Sequence, residues 1–260
     1  MPSMSTLKAQ TWHYCWHVLY LLLLAAPSHA GEITIAVASN FLAPAKNIAA
    51  AFETQTNDRV LISAASTGKL YAQISNGAPF EIFLAADSKH PALLIAQNLA
   101  IQHSSFIYAI GRLALWSPEK NKIIDSLNTL RQHDIRYIAI ANPKTSPYGR
   151  AAYETLLDMN LWSSLKPKIV QGENINQAFQ FTASGNADLG FVALSQILNP
   201  HNQKPGSRWE VPQKLHTPLD QMAVLLQAGA ANVTAKLFLQ FLQGPVARDI
   251  IKSFGYDLKI

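Results

Sequence analysis

Four short segments pair small hydroxyl or amide side chains with the start of a helical pattern. They are Ser39-Asn40, Ser66-Thr67-Gly68, Ser146-Pro147-Tyr148-Gly149 and Gly172-Glu173-Asn174. A helix start offers backbone N–H groups that have no partner inside the helix, together with a partial positive charge. Serine, threonine and asparagine side chains add uncharged donors. Several such ends converging make a site for a small anion that needs neither lysine nor arginine. Each end contributes about 0.3–1 kcal/mol, and up to about 2 when partly buried. A micromolar ligand needs about 8 kcal/mol. Four ends reach that scale once charge-assisted hydrogen bonds in a closed, dry cleft are added. The same residue types also serve as plain helix caps in any α/β protein. Lys69, Lys144 and Arg150 stand beside these turns, either to steer an anion inward or as solvated surface charges.

Other chemistries find less support. Ser66-Thr67-Gly68-Lys69 matches S-x-x-K, in which a lysine activates a serine nucleophile. Ser184-Gly185-Asn186 supplies an S-x-N and Lys144-Thr145-Ser146 a near K-T-G. Those two stand in the reverse of the order that such hydrolases use, and the second ends in serine rather than glycine. A secreted serine hydrolase using Ser66 and Lys69 is therefore the weaker alternative. His90, His103, His133, His201 and His216 show no i, i+4 spacing on an expected helix, so no metal ligands and no cofactor are expected. Gly68-Lys69 is not a phosphate-binding P-loop, because Ser63 and Leu70 occupy positions that the motif reserves for glycine and a hydroxyl residue. Cys15 is the only cysteine, which excludes an intrachain disulfide and a cysteine zinc site. The net charge is +5 without any run of five like charges, so nucleic acid is not an expected partner.

The elements that must position the four turns follow a strand–turn–helix rhythm. Residues 33–38 (ITIAVA) read as a buried parallel strand, followed by a helix with Ile48 and Phe52 on one face. Strands are expected again at residues 60–62, 81–84, 137–141, 168–170 and 189–192. Ser146 reads as an N-cap with Pro147 as the first helical residue. Alternation of this kind predicts an α/β fold, and ligands in such folds sit beyond the carboxyl ends of the strands. Two long apolar runs, 106–116 and 217–226, read as strands and as candidate chain crossings between lobes. One lobe is then residues 31–110 plus 220–260, and the other residues 111–219. Residues 1–30 read as a secretory signal, with Lys8 in a thin basic start, an apolar stretch at 18–26 and small residues before a cut after Ala30. The mature chain is then cysteine-free and periplasmic, and the absence of a cysteine after the apolar stretch argues against a lipid anchor.

Several segments, taken in order, resemble the periplasmic molybdate-binding proteins of ABC transporters (ModA). They include ITIAVASNFLAPAK, SAASTGKLYAQISNGAPFEIFLAAD, IANPKTSPYGRAA, PKIVQGENINQAFQF, GNADLGFVALSQI and GPVARDIIKSFGYDL. The resemblance implies a two-lobe periplasmic binding protein of type II, each lobe a mixed, mainly parallel sheet flanked by helices. It implies a monomeric receptor, not an enzyme, that delivers molybdate and also tungstate to a membrane permease. Carried over by segment, a hydroxyl contact falls on Ser39 with Asn40 beside it, and a second on Thr67 with Ser66 as the close alternative. Backbone N–H contacts fall on Tyr148 and Ile175. Some members place a ligand-binding tyrosine where this chain has Ala193, and Asn40 is the expected replacement donor. Loss of the Thr67 hydroxyl is expected to weaken binding with little effect on the fold. A receptor of the same fold for sulfate or another small anion is the alternative.

Overall fold

The computed structural model describes residues 31–131, 135–201 and 203–259. The expected signal at residues 1–30, with Lys8 and Cys15, and the histidine at His133 lie outside the described residues. The chain order begins β1 (Glu32–Ala38), α1 (Leu42–Thr56), β2 (Arg59–Ala65), α2 (Thr67–Ser75), β3 (Ile82–Ala85), α3 (Lys89–Ala96) and β4 (Phe106–Ile110). It continues with β5 (Leu113–Ser117), α4 (Ser126–Arg131), β6 (Ile138–Ala141), α5 (Pro147–Asp158), α6 (Trp162–Leu165) and β7 (Ile169–Gly172). Next come α7 (Ile175–Ala183), β8 (Leu189–Ala193), α8 (Leu194–Ile197), β9 (Ser207–Glu210), β10 (Asp220–Leu225), α9 (Val233–Gln243) and α10 (Pro245–Ser253).

The strands form two five-stranded mixed sheets. The first has the order β2-β1-β3-β10-β4 and the second the order β7-β6-β8-β5-β9. In each, four strands run one way and one strand, β10 or β5, runs antiparallel between its two neighbours. Alternation along the strands explains why helices cover both faces. Ile33, Ile35 and Val37 pack with Phe52, Phe238 and Ile251 on one face of the first sheet. Ala36 points the other way, to Leu70, Phe83 and Leu94. In the second sheet Ile138 and Ile140 pack with Leu115, Ala152 and Leu156, while Ala139 faces Ala178 on α7.

The apolar run at residues 106–116 is not one strand. It breaks at Gly111-Arg112 into β4, in the first sheet, and β5, in the second. A Cβ at Gly111 would overlap the Tyr148 hydroxyl and lie 2.9 Å from Gln221 Nε2. Glycine therefore lets the α5 side chain reach the crossing. The return crossing joins β9 to β10, whose pairing with β4 shifts register between Gln221 and Met222. The expected strand at 168–170 starts one residue late, because Lys166–Lys168 form a short 3-10 turn.

Candidate functional site

All four turns stand at the carboxyl ends of parallel strands: β1, β2, β6 and β7. Ser39 and Asn40 form a buried 3-10 turn with Phe41 directly after β1. Ser66 occupies the N-cap position of α2 in extended backbone, yet its side chain caps nothing. Its Oγ is buried without any hydrogen-bond partner in the protein. Thr67 is the first residue of α2 rather than part of a preceding turn, and its Oγ1 accepts a 3.1 Å hydrogen bond from the Ala86 N–H. That hydroxyl still has its proton to donate. At α5 the expected cap is in place: Ser146 Oγ accepts from the Gly149 N–H, with Pro147 as the first helical residue. Tyr148 follows, buried. Asn174 caps α7 by accepting from the Asn176 and Gln177 N–H groups at 2.9 and 3.2 Å, and this leaves Ile175 as the first residue of that helix. Ile175 is buried as well.

These turns meet pairwise across the two sheets. The Gly68 N–H donates to the Thr145 carbonyl at 2.8 Å, which joins the β2 turn to the loop before α5. The Ser39–Phe41 turn touches α7 and α8. A cavity of about 270 Å³ lies beside this contact, with Ser39, Asn40, Asn176, Ser195 and Gln196 in its wall. A second opening, beside Thr145, is lined by Lys144, Arg150, Asp87 and His90.

Two of the three cations beside the turns are paired. The Lys69 ammonium bonds the Glu173 carboxylate across the lobes, not Ser66, so the S-x-x-K pair is not assembled. Arg150 pairs with Glu154 at 3.7 Å. His90 sits on Asp87 at 2.8 Å, His201 on Asn47 at 2.8 Å, and His216 on the Thr217 carbonyl at 2.8 Å. Among the described residues no group of three or more His, Cys, Asp or Glu could hold a metal ion. The hydroxyl and backbone donors of the turns are uncharged, and Lys144 lines the opening beside Thr145.

The Asn40 side chain is engaged within the protein. Its amide hydrogens are both committed, to Gln221 Oε1 at 2.7 Å and to the Tyr256 hydroxyl at 3.0 Å. What this turn can offer an anion is backbone N–H and the Ser39 hydroxyl. Ala193, at the end of β8, is fully buried and has no side-chain donor. Tyr256, Ser195 and Gln221 were not singled out by their sequence context. Tyr256 lies inside the GPVARDIIKSFGYDL segment, but a single tyrosine after an amphipathic helix carries no signal of its own.

A family model for bacterial extracellular solute-binding proteins matches residues 33–257. The chain belongs to that family. It is 45% identical over 237 residues to the molybdate-binding protein ModA of Azotobacter vinelandii, which covers 91% of this chain and 94% of the relative. It is 44% identical to ModA of Rhodobacter capsulatus, with 90% and 91% covered. The solved structure of the Azotobacter vinelandii periplasmic molybdate-binding protein superposes with a TM-score of 0.85 at 40% identity, covering 88% of this chain and all of that one. As a solute-binding protein of this branch, the chain has the two-lobe periplasmic binding fold, with one sheet in each lobe.

Proposed function

We propose that the chain captures molybdate, and tungstate in the same site, between its two lobes and delivers it to an ABC permease. The observation that carries this is the Ser66 hydroxyl, buried and unpartnered where helix starts from both sheets meet. A buried donor without a partner costs about 1–3 kcal/mol, a cost removed when a ligand accepts from it. The relatives supply the identity of that ligand, because the two described above are molybdate-binding proteins. The set comprises the hydroxyls of Ser39, Ser66 and Thr67 and the backbone N–H groups of Asn40, Tyr148 and Ile175. Residues 31–110 with 220–260 form one lobe and residues 111–219 the other. The protein is a periplasmic monomer after cleavage behind Ala30, and it performs no chemistry on its ligand.

Neutral donors suit a fully ionised tetrahedral oxyanion. Phosphate keeps a proton near neutral pH, and a set made only of donors gives that proton no acceptor. Sulfate is smaller and leaves some donors out of reach. The test is isothermal titration of residues 31–260 with molybdate, tungstate, sulfate and phosphate. One-to-one binding of the first two, with no heat from the others, is the expected result. Binding of sulfate in place of molybdate would move the protein to another ligand class.

A further inference from the structure

Behind the Ser39-Asn40 turn lies a buried polar cluster that the anion site does not use directly. Tyr256 follows α10 and is placed by backbone pairing between Asp257 and Ile110, at 2.7 and 3.1 Å, at the end of β4. Its hydroxyl is 2.9 Å from the Asn40 carbonyl, to which it donates. The same oxygen accepts from the Asn40 amide at 3.0 Å and lies 3.1 Å from Ser195 Oγ. Ser195 Oγ is also 3.2 Å from the Asn40 carbonyl. Gln221, at the register shift of β10, accepts from the Asn40 amide and donates to the Leu219 carbonyl at 2.8 Å. Asn40, Ser195, Gln221 and Tyr256 are all at most 4% exposed.

The cluster divides between the lobes. Asn40, Gln221 and Tyr256 belong to the elements of the first sheet, while Ser195 lies on α8, which follows β8 of the second. The bonds from Ser195 therefore form only when the lobes meet. They end on Asn40 and Tyr256, and the turn that holds Asn40 touches α7 and α8. We propose that Tyr256 and Ser195 form a cross-lobe lock on Asn40, which makes Tyr256 a positioning residue for the anion site. The proposal rests on the reading that the anion is held between the lobes. Tyr256 fixes the Asn40 peptide through both its carbonyl and its side chain, and Ser195 completes the arrangement on closure. A ligand that favours closure then gains these buried bonds as well as its own, because it shifts a two-state equilibrium by its preference for the closed form.

The test uses residues 31–260, which contain no cysteine. Spin labels at Leu157→Cys on α5 and Leu237→Cys on α9, both exposed, report the distance between lobes without any anion present. Tyr256→Phe and Ser195→Ala are each expected to reduce the short-distance population. Each is also expected to raise the molybdate Kd about tenfold, mainly through faster release. The double variant should lose less than the sum of the two singles, since the Ser195–Tyr256 bond is lost in both. Unchanged label distances in both variants would overturn the lock, even if Tyr256→Phe lowers the thermal midpoint. Fully additive losses would overturn it too. Failure of the unmodified protein to bind molybdate would instead remove the anion reading, and the distances in the anion-free protein would still decide the lock.

Discussion

Ser66 and Thr67 are neighbours with different duties, and the two can be separated by experiment. Removing the Ser66 hydroxyl deletes a buried group that bonds nothing in the protein. Ser66→Ala should leave stability unchanged or raised, while molybdate binding falls about 10–150-fold, the worth of a hydrogen bond to a charged group. Thr67→Ala behaves otherwise, because the Ala86 N–H loses its acceptor. It should cost about 1–3 kcal/mol of stability in addition to affinity. Denaturant melts and titrations of both variants decide the matter, and equal stability losses would refute the division of roles. The sequence could not make this distinction. Both hydroxyls sit in one S-T-G turn, and only the fold shows that Ala86, at the end of a different strand, consumes one of them. The partners of the Asn40 side chain were out of reach for the same reason, since Gln221 and Tyr256 lie 181 and 216 residues away.

At the level of elements, local chemistry was the more legible part. The Ser146 cap, the proline after it and the Asn174 turn are all dictated within four residues. The break in residues 106–116 was not, because a continuous apolar run does not say which sheet each half joins. Glycine is required at the break by Tyr148 and Gln221, 37 and 110 positions further on. Gly68 has a comparable role at the lobe contact. Its N–H bonds the Thr145 carbonyl, and a Cβ there would lie 3.0 Å from that oxygen and 3.1 Å from Thr145 Cα. Backbone cannot swing aside as a side chain can. Gly68→Ala should therefore hold the β2 turn away from the loop before α5 and weaken molybdate binding by about tenfold, the scale of a modest overpacking. Titration checks this, and an unchanged Kd would mean that the contact is not needed for closure.

For the molecule as a whole, the crossing region concentrates buried phenols. Burial pushes the Tyr256 hydroxyl up to about 12, while hydrogen bonds from Ser195 and Asn40 pull it back. Tyr108 and Tyr148 are raised well above 10, first by burial and then by the neighbouring Tyr256. The Tyr148 hydroxyl approaches Tyr256 and Asn40 without making a hydrogen bond of good geometry. In the unfolded chain tyrosine loses its proton near pH 10. Above that pH the unfolded state binds fewer protons than the folded one, so stability falls as pH rises. Tyr256 alone accounts for about 2 kcal/mol lost by pH 12. Urea midpoints measured from pH 8 to 11.5 should be flat to about 10 and then drop, and a midpoint that stays level would contradict this burial. The sheet order has a different consequence, in time rather than in energy. Every strand of the second sheet comes from one continuous stretch, residues 113–210, whereas β10 sits between β3 and β4 of the first. As the chain emerges, the second lobe has all its strands before the first has β10. Until then β3 and β4 have unpaired edges, and the closure of that sheet spans more than a hundred residues, a slow step that leaves sticky strands exposed. The lobe begun first is therefore the one finished last.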